Sequence, residues 1–229
     1  MPETLEINQK FLKLLQNAPQ LGVCKLFILG DLFEAWIGDD DHHPFHEKII
    51  EALKTATTKG MRIYFQRGNR DFLIGKVFLR QTGCELLDDE HPIKLFGTSV
   101  LLMHGDTLCT DDIAYLRARK FFRSPIIQWF FGRLPLSLRR KLANNIRHKS
   151  QQHTQSTKLT TMDVTSQAVE GVIKKYQVEY LIHGHTHQPN IHPLRIQNKK
   201  ITRIVLGAWH KKGNALVWDV KGKRALIEF

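Results

Sequence analysis

LIHGHTH (Leu181–His187) is the stretch that decides how this chain is read. An apolar run that begins at Tyr180 stops abruptly at three imidazoles within five residues. Gly184 sits between two of them, where a backbone without Cβ can come close to a ligand. The same grammar recurs upstream. FILGD (Phe27–Asp31) and LLMHGD (Leu101–Asp106) are apolar runs that end at a glycine-flanked polar group, and RGNRD (Arg67–Asp71) follows the apolar run Arg62–Gln66. In an open α/β sheet the ligand site lies at the carboxyl ends of the strands. Asp31, Asn69, His104, His185 and His187 are therefore expected to meet there, far apart though they lie along the chain.

Taken singly, most of these residues have a plainer explanation. An aspartate after Leu-Gly can be a turn or helix-cap residue, Gly-Asn-Arg-Asp is a good turn sequence, and one histidine after an apolar strand is often structural. His-Gly-His-Thr-His is harder to explain structurally, since imidazoles at i and i+2 on an extended turn can clasp a metal pair. His183 is its weaker member, because it can lie on the other face of the strand. One carboxylate, one amide and imidazoles, with no thiolate, suit Mn²⁺, Zn²⁺ or iron rather than a cysteine-rich structural zinc site. Two such ions can hold a hydroxide and clamp a phosphoryl group for in-line displacement. Arg70, directly after Asn69, could grip phosphate oxygens in bidentate fashion.

Around these segments the periodicity predicts an amphipathic helix over Thr4–Gln16, a strand over Lys25–Leu29, and a helix over Phe45–Lys59 whose Ile49, Ile50, Leu53 and Ala56 face inward. A short helix over Gly75–Gln81, a hairpin of Ile93–Phe96 with Ser99–Met103 turning at Gly97-Thr98, and a helix over Thr165–Tyr176 leading into a strand at Tyr180 follow. From Arg203 to Phe229 the pattern reads as antiparallel strands turning at Lys212–Asn214 and Lys221-Gly222. The whole fits helices on both faces of a mixed sheet. Residues 111–162 break the alternation and read as an inserted helical cap within a single domain, residues 1–229.

The chain has 229 residues, 42% of them apolar, enough for a sizeable core, and no run reaches the length of a membrane span. Three cysteines, Cys24, Cys84 and Cys109, show no metal-type spacing and suit reduced thiols in a cytosolic protein. The net charge of +12 is concentrated: Ile113–Met162 holds eleven Lys and Arg and no Asp or Glu. Such a window attracts nucleic acid, phosphorylated small molecules or an acidic lipid surface.

The ordered set GD, GNRD, HGD and GHTH resembles the calcineurin-like metallophosphoesterase superfamily, whose fold is an αββα sandwich of mixed sheets. GDLFEAWIGDDD (Gly30–Asp41), GNRDFLIGK (Gly68–Lys76), MHGDTLCTDD (Met103–Asp112), HGHTHQP (His183–Pro189) and VLGAWH (Val205–His210) narrow the resemblance to the UDP-2,3-diacylglucosamine diphosphatase family of lipid A biosynthesis, over essentially the whole chain. That resemblance implies hydrolysis of the pyrophosphate of UDP-2,3-diacylglucosamine to UMP and 2,3-diacylglucosamine 1-phosphate by a metal-activated hydroxide, with Mn²⁺, at the cytoplasmic side of the inner membrane. It implies that Asp31 bridges two metals, that Asn69, His104 and His185 serve one, and that His187 serves the other. Arg70, with Asp31, Asn69 and His104, is carried over as catalytic. Asn69, Arg70, Asp112, Ser150, Thr154 and His185 match substrate contacts, and Thr157 stands where related chains carry lysine, with Lys158 beside it.

In the cap, Phe121, Phe122, Ile126, Ile127, Trp129, Phe130, Phe131, Leu134 and Leu136 are interleaved with Arg123, Arg133, Arg139, Arg140 and Lys141. A helical hairpin packed on the core with a solvated basic face is one reading. A cap that lines an acyl-chain pocket and touches anionic lipid by its basic rim is the other. The expected partners are thus UDP-2,3-diacylglucosamine and an anionic inner-membrane surface, with no nucleic acid and no obligate protein partner. Asp39–Asp41, an acidic run near Asp31, reads by default as a solvated loop, with a role in holding that loop over the site as the alternative. A phosphodiesterase or nuclease of other specificity, or a non-catalytic binder, are the alternative functions.

The superfamily's first motif, a strand ending in Asp-x-His, has no counterpart before Asp31. The two ligands it carries would complete the His187-side metal. The expectation is a working protein that starts upstream of Met1, since every later motif is intact. The other explanation is a decayed enzyme that holds one metal.

Overall fold

The computed structural model describes residues 5–156, 163–210 and 212–229. In chain order the elements are α1 (Leu5–Asn17), β1 (Lys25–Leu29), α2 (Pro44–Thr58), β2 (Arg62–Gln66), α3 (Lys76–Thr82), β3 (Glu85–Leu87), β4 (Glu90–Leu95) and β5 (Thr98–Met103). Then come α4 (Ile113–Phe122), α5 (Pro125–Arg133), α6 (Leu136–Ser156), α7 (Ser166–Tyr176), β6 (Tyr180–His183), β7 (Asn190–Ile196), β8 (Lys199–Val205), β9 (Asn214–Trp218) and β10 (Arg224–Glu228).

The strands form two main sheets, and the two-residue side-chain period of a strand explains their stacking. β1, β2 and β3 are parallel in that order, and the second sheet runs β4-β5-β6-β8-β7 with β5, β6 and β8 parallel. On β2, Ile63 and Phe65 face the helices, packing with Leu53 of α2 and Phe78 of α3, whereas Tyr64 turns the other way. On β5, Leu101 and Met103 pack with Val169 and Ile173 of α7, whereas Val100 and Leu102 turn inward to meet Leu29, Tyr64 and Leu87 of the first sheet. Each sheet therefore has one face on helices and one face on the other sheet. Four layers result, helix, sheet, sheet and helix, with both faces of the central strands dry, so these strands read as continuous apolar runs.

The structure departs from the sequence expectations at identifiable places. The first hairpin turns at Phe96-Gly97, both in the left-handed region (φ 48° and 84°), so the loop lies one residue earlier than Gly97-Thr98. β4 starts at Glu90 and passes through Pro92, and β7 passes through Pro193. Both are edge strands, where a missing N–H costs no ladder bond. β7 and its tight turn at Gln197-Asn198 were not expected at all. The stretch from Arg203 is not wholly antiparallel either, since β8 pairs parallel to β6 and antiparallel to β7.

Asp39–Asp41 is tied down by hydrogen bonds and ion pairs, although Asp40 itself stays exposed. Asp39 accepts from the N–H groups of Gly75 (2.9 Å), Val77 (2.9 Å) and Phe78 (3.2 Å) at the start of α3 and from Trp36 Nε1 (3.1 Å). Asp40 pairs with Arg139, and Asp41 with Arg140 at 2.6 Å, tying α6 to the core.

Candidate metal centre

Parallel pairing puts the carboxyl ends of β1 and β2 side by side, and likewise those of β5 and β6, with Leu29 opposite Gln66 and Met103 opposite His183. His104 then crosses between the sheets: its Nδ1 donates to the Leu29 carbonyl at 2.8 Å. The strand ends also turn sharply. Asp31, His185 and His187 lie in the left-handed region at φ 56°, 65° and 58°. Such a conformation costs a non-glycine residue on the order of 1–3 kcal/mol and tends to collect at functional sites. Two glycines make the approach possible. A Cβ on Gly30 (φ 83°) would meet Gly68 Cα at 2.6 Å, and one on Gly68 would meet Asp31 Oδ1 at 2.2 Å.

Asn69 is the hub. Its Oδ1 lies 3.0 Å from His104 Nε2 and 3.2 Å from His185 Nδ1, and Asp31 Oδ1 is 3.8 Å from the same His104 nitrogen. The imidazoles of His104 and His185 stand edge to face, 5.1 Å between centroids. With its Nδ1 committed to Leu29, His104 has only Nε2 to offer the oxygens of Asn69 and Asp31. Two oxygen acceptors and two imidazole nitrogens around one point are joined here by imidazole N–H donation, and a shared cation can take the place of those protons. This donor set fits a divalent ion. Among the described residues no group of three or more His, Cys, Asp or Glu side chains encloses such a point without help. The Asn69 amide is what joins the three elements.

Burial and neighbouring charge pull these groups in opposite directions. Burial alone would raise the Asp31 carboxyl, but His104, Arg70 and His185 hold it below its usual range. Burial alone would lower His104, but Asp31 and Asp106 hold it above the ordinary imidazole value. His185 is pushed down to about 4 by burial and then by His104, so it is a neutral imidazole with a lone pair to give.

His187 is exposed, and its ring packs against that of His210 at 5.7 Å. His183 is buried and takes no part in the centre. Its Nδ1 donates to the Gly184 carbonyl, and Arg203 approaches its Nε2 at 3.3 Å. Arg70 lies beside Asp31, Nε to Oδ2 at 3.6 Å, and its NH1 contacts the buried Glu34 at 2.9 Å. Asp112 caps α4, accepting from the Tyr115 N–H at 2.9 Å. Ser150 is an exposed residue of α6. The side chain of Thr154, and Thr157 altogether, lie outside the described residues.

Sequence reading passed over several side chains that build this site. Asp71 is fully buried and accepts from the backbone N–H groups of Leu32 and Gly68, both at 2.7 Å, which locks the Asp31 loop to the Asn69 loop. Burial, and next Asp31, push its carboxyl up to about 6. Glu34 holds Arg70 and also Arg147 of α6, the latter at 2.8 Å. The signal for Glu34 was a carboxylate inside the apolar run Leu32–Trp36.

The basic rim expected for the cap is largely committed inward. Arg123 pairs with Asp89, Arg139 with Asp40 and Arg140 with Asp41, while Arg133 lies 3.3 Å over the Trp129 ring. Arg117, Lys120, Lys141 and Lys149 are exposed cations of this segment, and Phe121, Ile126, Trp129 and Phe130 are exposed in it as well. Pro125, Ile126, Trp129 and Phe130 line an open apolar groove of about 400 Å³.

The family model of the calcineurin-like phosphoesterases matches residues 6–189. A UDP-2,3-diacylglucosamine hydrolase from Enterobacter sp. (strain 638) is 48% identical over 204 residues, covering 89% of this chain and 85% of that protein. The protein of the same name from Aliivibrio fischeri (strain MJ11) is 45% identical over 216 residues, 94% of this chain and 89% of its own length. The one from Pseudomonas aeruginosa (strain UCBPP-PA14) is 46% identical over 222 residues, 97% and 92% respectively.

Proposed function

Because this chain belongs to the UDP-2,3-diacylglucosamine hydrolase family of calcineurin-like phosphoesterases, we propose that it hydrolyses the pyrophosphate of UDP-2,3-diacylglucosamine to UMP and 2,3-diacylglucosamine 1-phosphate in lipid A biosynthesis. The observation that carries this reading is the meeting of Asp31, Asn69, His104 and His185 at the ends of strands from two facing sheets.

In this reading Asn69, His104 and His185 hold one divalent ion, Asp31 is shared, and His187 contributes to a second ion. The ion is Mn²⁺, consistent with a set of oxygen and imidazole donors without thiolate. When bound, it supplies the positive charge that activates water and offsets the phosphoryl oxygens. The chain's own residues do the rest. Gly30 and Gly68 let the two ligand loops touch. Asp71 fixes their spacing. Arg70, steered by Glu34, presents a guanidinium beside Asp31, where the oxygens of a pyrophosphate would lie. Asp112, Ser150, Thr154 and Thr157 are assigned to the sugar nucleotide, and the segment 111–162 that carries them is assigned the role of a helical cap. The apolar side chains of α4 and α5 suit acyl chains, whose burial supplies about 0.8 kcal/mol per methylene, away from the reacting phosphorus. UMP release from UDP-2,3-diacylglucosamine by the purified chain in Mn²⁺ tests the reading, and a chain that cleaves an unacylated dinucleotide pyrophosphate faster would overturn it.

We also propose that the protein sits on the cytoplasmic side of the inner membrane as a peripheral protein. No helix among the described residues is long and apolar enough to cross a membrane. Phe121, Ile126, Trp129 and Phe130 stand exposed beside Lys120, an arrangement suited to an anionic lipid surface. Sedimentation with liposomes is expected to bring down more protein as the anionic lipid fraction rises, and less as salt rises. Binding indifferent to both would remove the surface role.

A further inference from the structure

One face of α4 does something the reaction chemistry does not account for. Tyr115 and Arg119 of α4 and Arg123, the residue that caps its C-terminus, follow one another at four-residue intervals, which on a helix places them in a single row. That row touches all three loops that carry Asn69, His104 and His185. The Tyr115 ring lies 5.7 Å from the His185 ring, and its hydroxyl donates to Asp106 Oδ2 at 2.8 Å. Arg119 Nε donates to the same Asp106 oxygen at 2.6 Å, two residues beyond His104. Arg123 NH2 donates to the Gly68 carbonyl at 2.8 Å, the peptide oxygen just before Asn69. Asp89, from the loop between β3 and β4, ties the two guanidiniums together. It accepts from Arg119 at 2.7 Å and from Arg123 at 2.9 Å on each oxygen.

We propose that the Tyr115–Arg119–Arg123 row, with Asp89 as its keystone, is a positioning device that sets the convergence of Asn69, His104 and His185 and so the affinity of the metal centre. None of the three is a proposed metal ligand. They act on the peptide and the carboxylate next to the ligands, in the way that partners outside the coordination sphere orient the ligands within it. Arg123 is the sharpest case. Its fork spans a carboxylate and a carbonyl at once, a geometry the single ammonium of lysine cannot reproduce. The first helix of the cap is thus built into the centre rather than laid over it.

The inference rests on the metal reading above, and the experiment separates the two. Mn²⁺ binding is measured by isothermal titration calorimetry on the wild type, R123Q, R123K, R119Q and D89N. R117Q, which removes an exposed charge from the same helix, serves as the control. R123Q and R119Q are expected to bind Mn²⁺ about ten- to a hundredfold more weakly. R123K is expected to fall between R123Q and the wild type, and R117Q to match the wild type. The thermal midpoint of the metal-free protein tells a loosened centre from a loosened fold. Should R123Q or R119Q fail to fold, D89N decides, because it keeps the side chain's shape while weakening both arginine contacts. Wild-type Mn²⁺ binding together with unchanged affinity in the folded row variants overturns the inference. A wild type that binds no Mn²⁺ overturns the metal reading and this inference with it.

Discussion

Replacing Asn69 by alanine is expected to lower kcat/KM by about a thousandfold, on the order of 4 kcal/mol of transition-state stabilisation, with the fold intact. The size follows from the hub geometry. Asn69 Oδ1 is the common neighbour of His104 Nε2 and His185 Nδ1, so its loss removes a proposed ligand and also the group that faces the two imidazoles to one point. The residue is only half-buried, at a strand-end turn, so a core packing loss does not compete as an explanation. Steady-state kinetics at saturating Mn²⁺, with a urea unfolding curve beside them, check it. A variant that stays within tenfold of the wild type would take Asn69 out of the centre.

Replacing Asp71 by alanine is expected to act through stability first. The carboxylate accepts two short hydrogen bonds from buried backbone N–H groups, one on each of the loops that carry Asp31 and Asn69. Hydrogen bonds to a charged group contribute about 1.5–3 kcal/mol each, so the free energy of unfolding should drop by roughly 4 kcal/mol. For a chain of this length that lowers the thermal midpoint by roughly 10 °C. Asp71→Asn keeps one acceptor oxygen but turns an N–H toward the other donor, and should recover at most about half of the loss. Calorimetry of wild type and variant at one fixed pH above 6 makes the measurement, because the raised Asp71 carboxyl itself costs the wild-type fold stability as pH climbs from the ordinary carboxylate range to about 6. A loss under about 1 kcal/mol for D71A would mean that the two loops are held together by something else.

What sequence could reveal and what it could not divide along a physical line. The strand ends were legible because a strand buried on both faces is a short apolar run, and a glycine-flanked polar residue at its end is a local event. Leu29-Gly30-Asp31 and Ile182-His183-Gly184-His185 each announce themselves within four residues. Proline is locally unfavourable to a strand at 92 and 193, and only the sheet order shows that both lie on edges where proline is harmless. The cap was the least legible part. Its arginines read as a basic surface because their partners Asp40, Asp41 and Asp89 lie far away in sequence. The separation is 99 residues for both Arg139 with Asp40 and Arg140 with Asp41. No local pattern reports such pairs. The four-residue spacing of Tyr115, Arg119 and Arg123 was in plain view, but nothing nearby in the chain marked which face of α4 would meet the ligand loops.

That these strand ends form the metal centre of a UDP-2,3-diacylglucosamine hydrolase is our central proposal. The most direct test follows UMP release from UDP-2,3-diacylglucosamine by the purified chain, stripped with a chelator and then titrated with Mn²⁺. Negligible turnover is expected after stripping, with recovery that saturates with Mn²⁺ and with Asn69→Ala unresponsive over the same range. Turnover that survives stripping, or Mn²⁺ that restores the alanine variant as fully as the wild type, would contradict it.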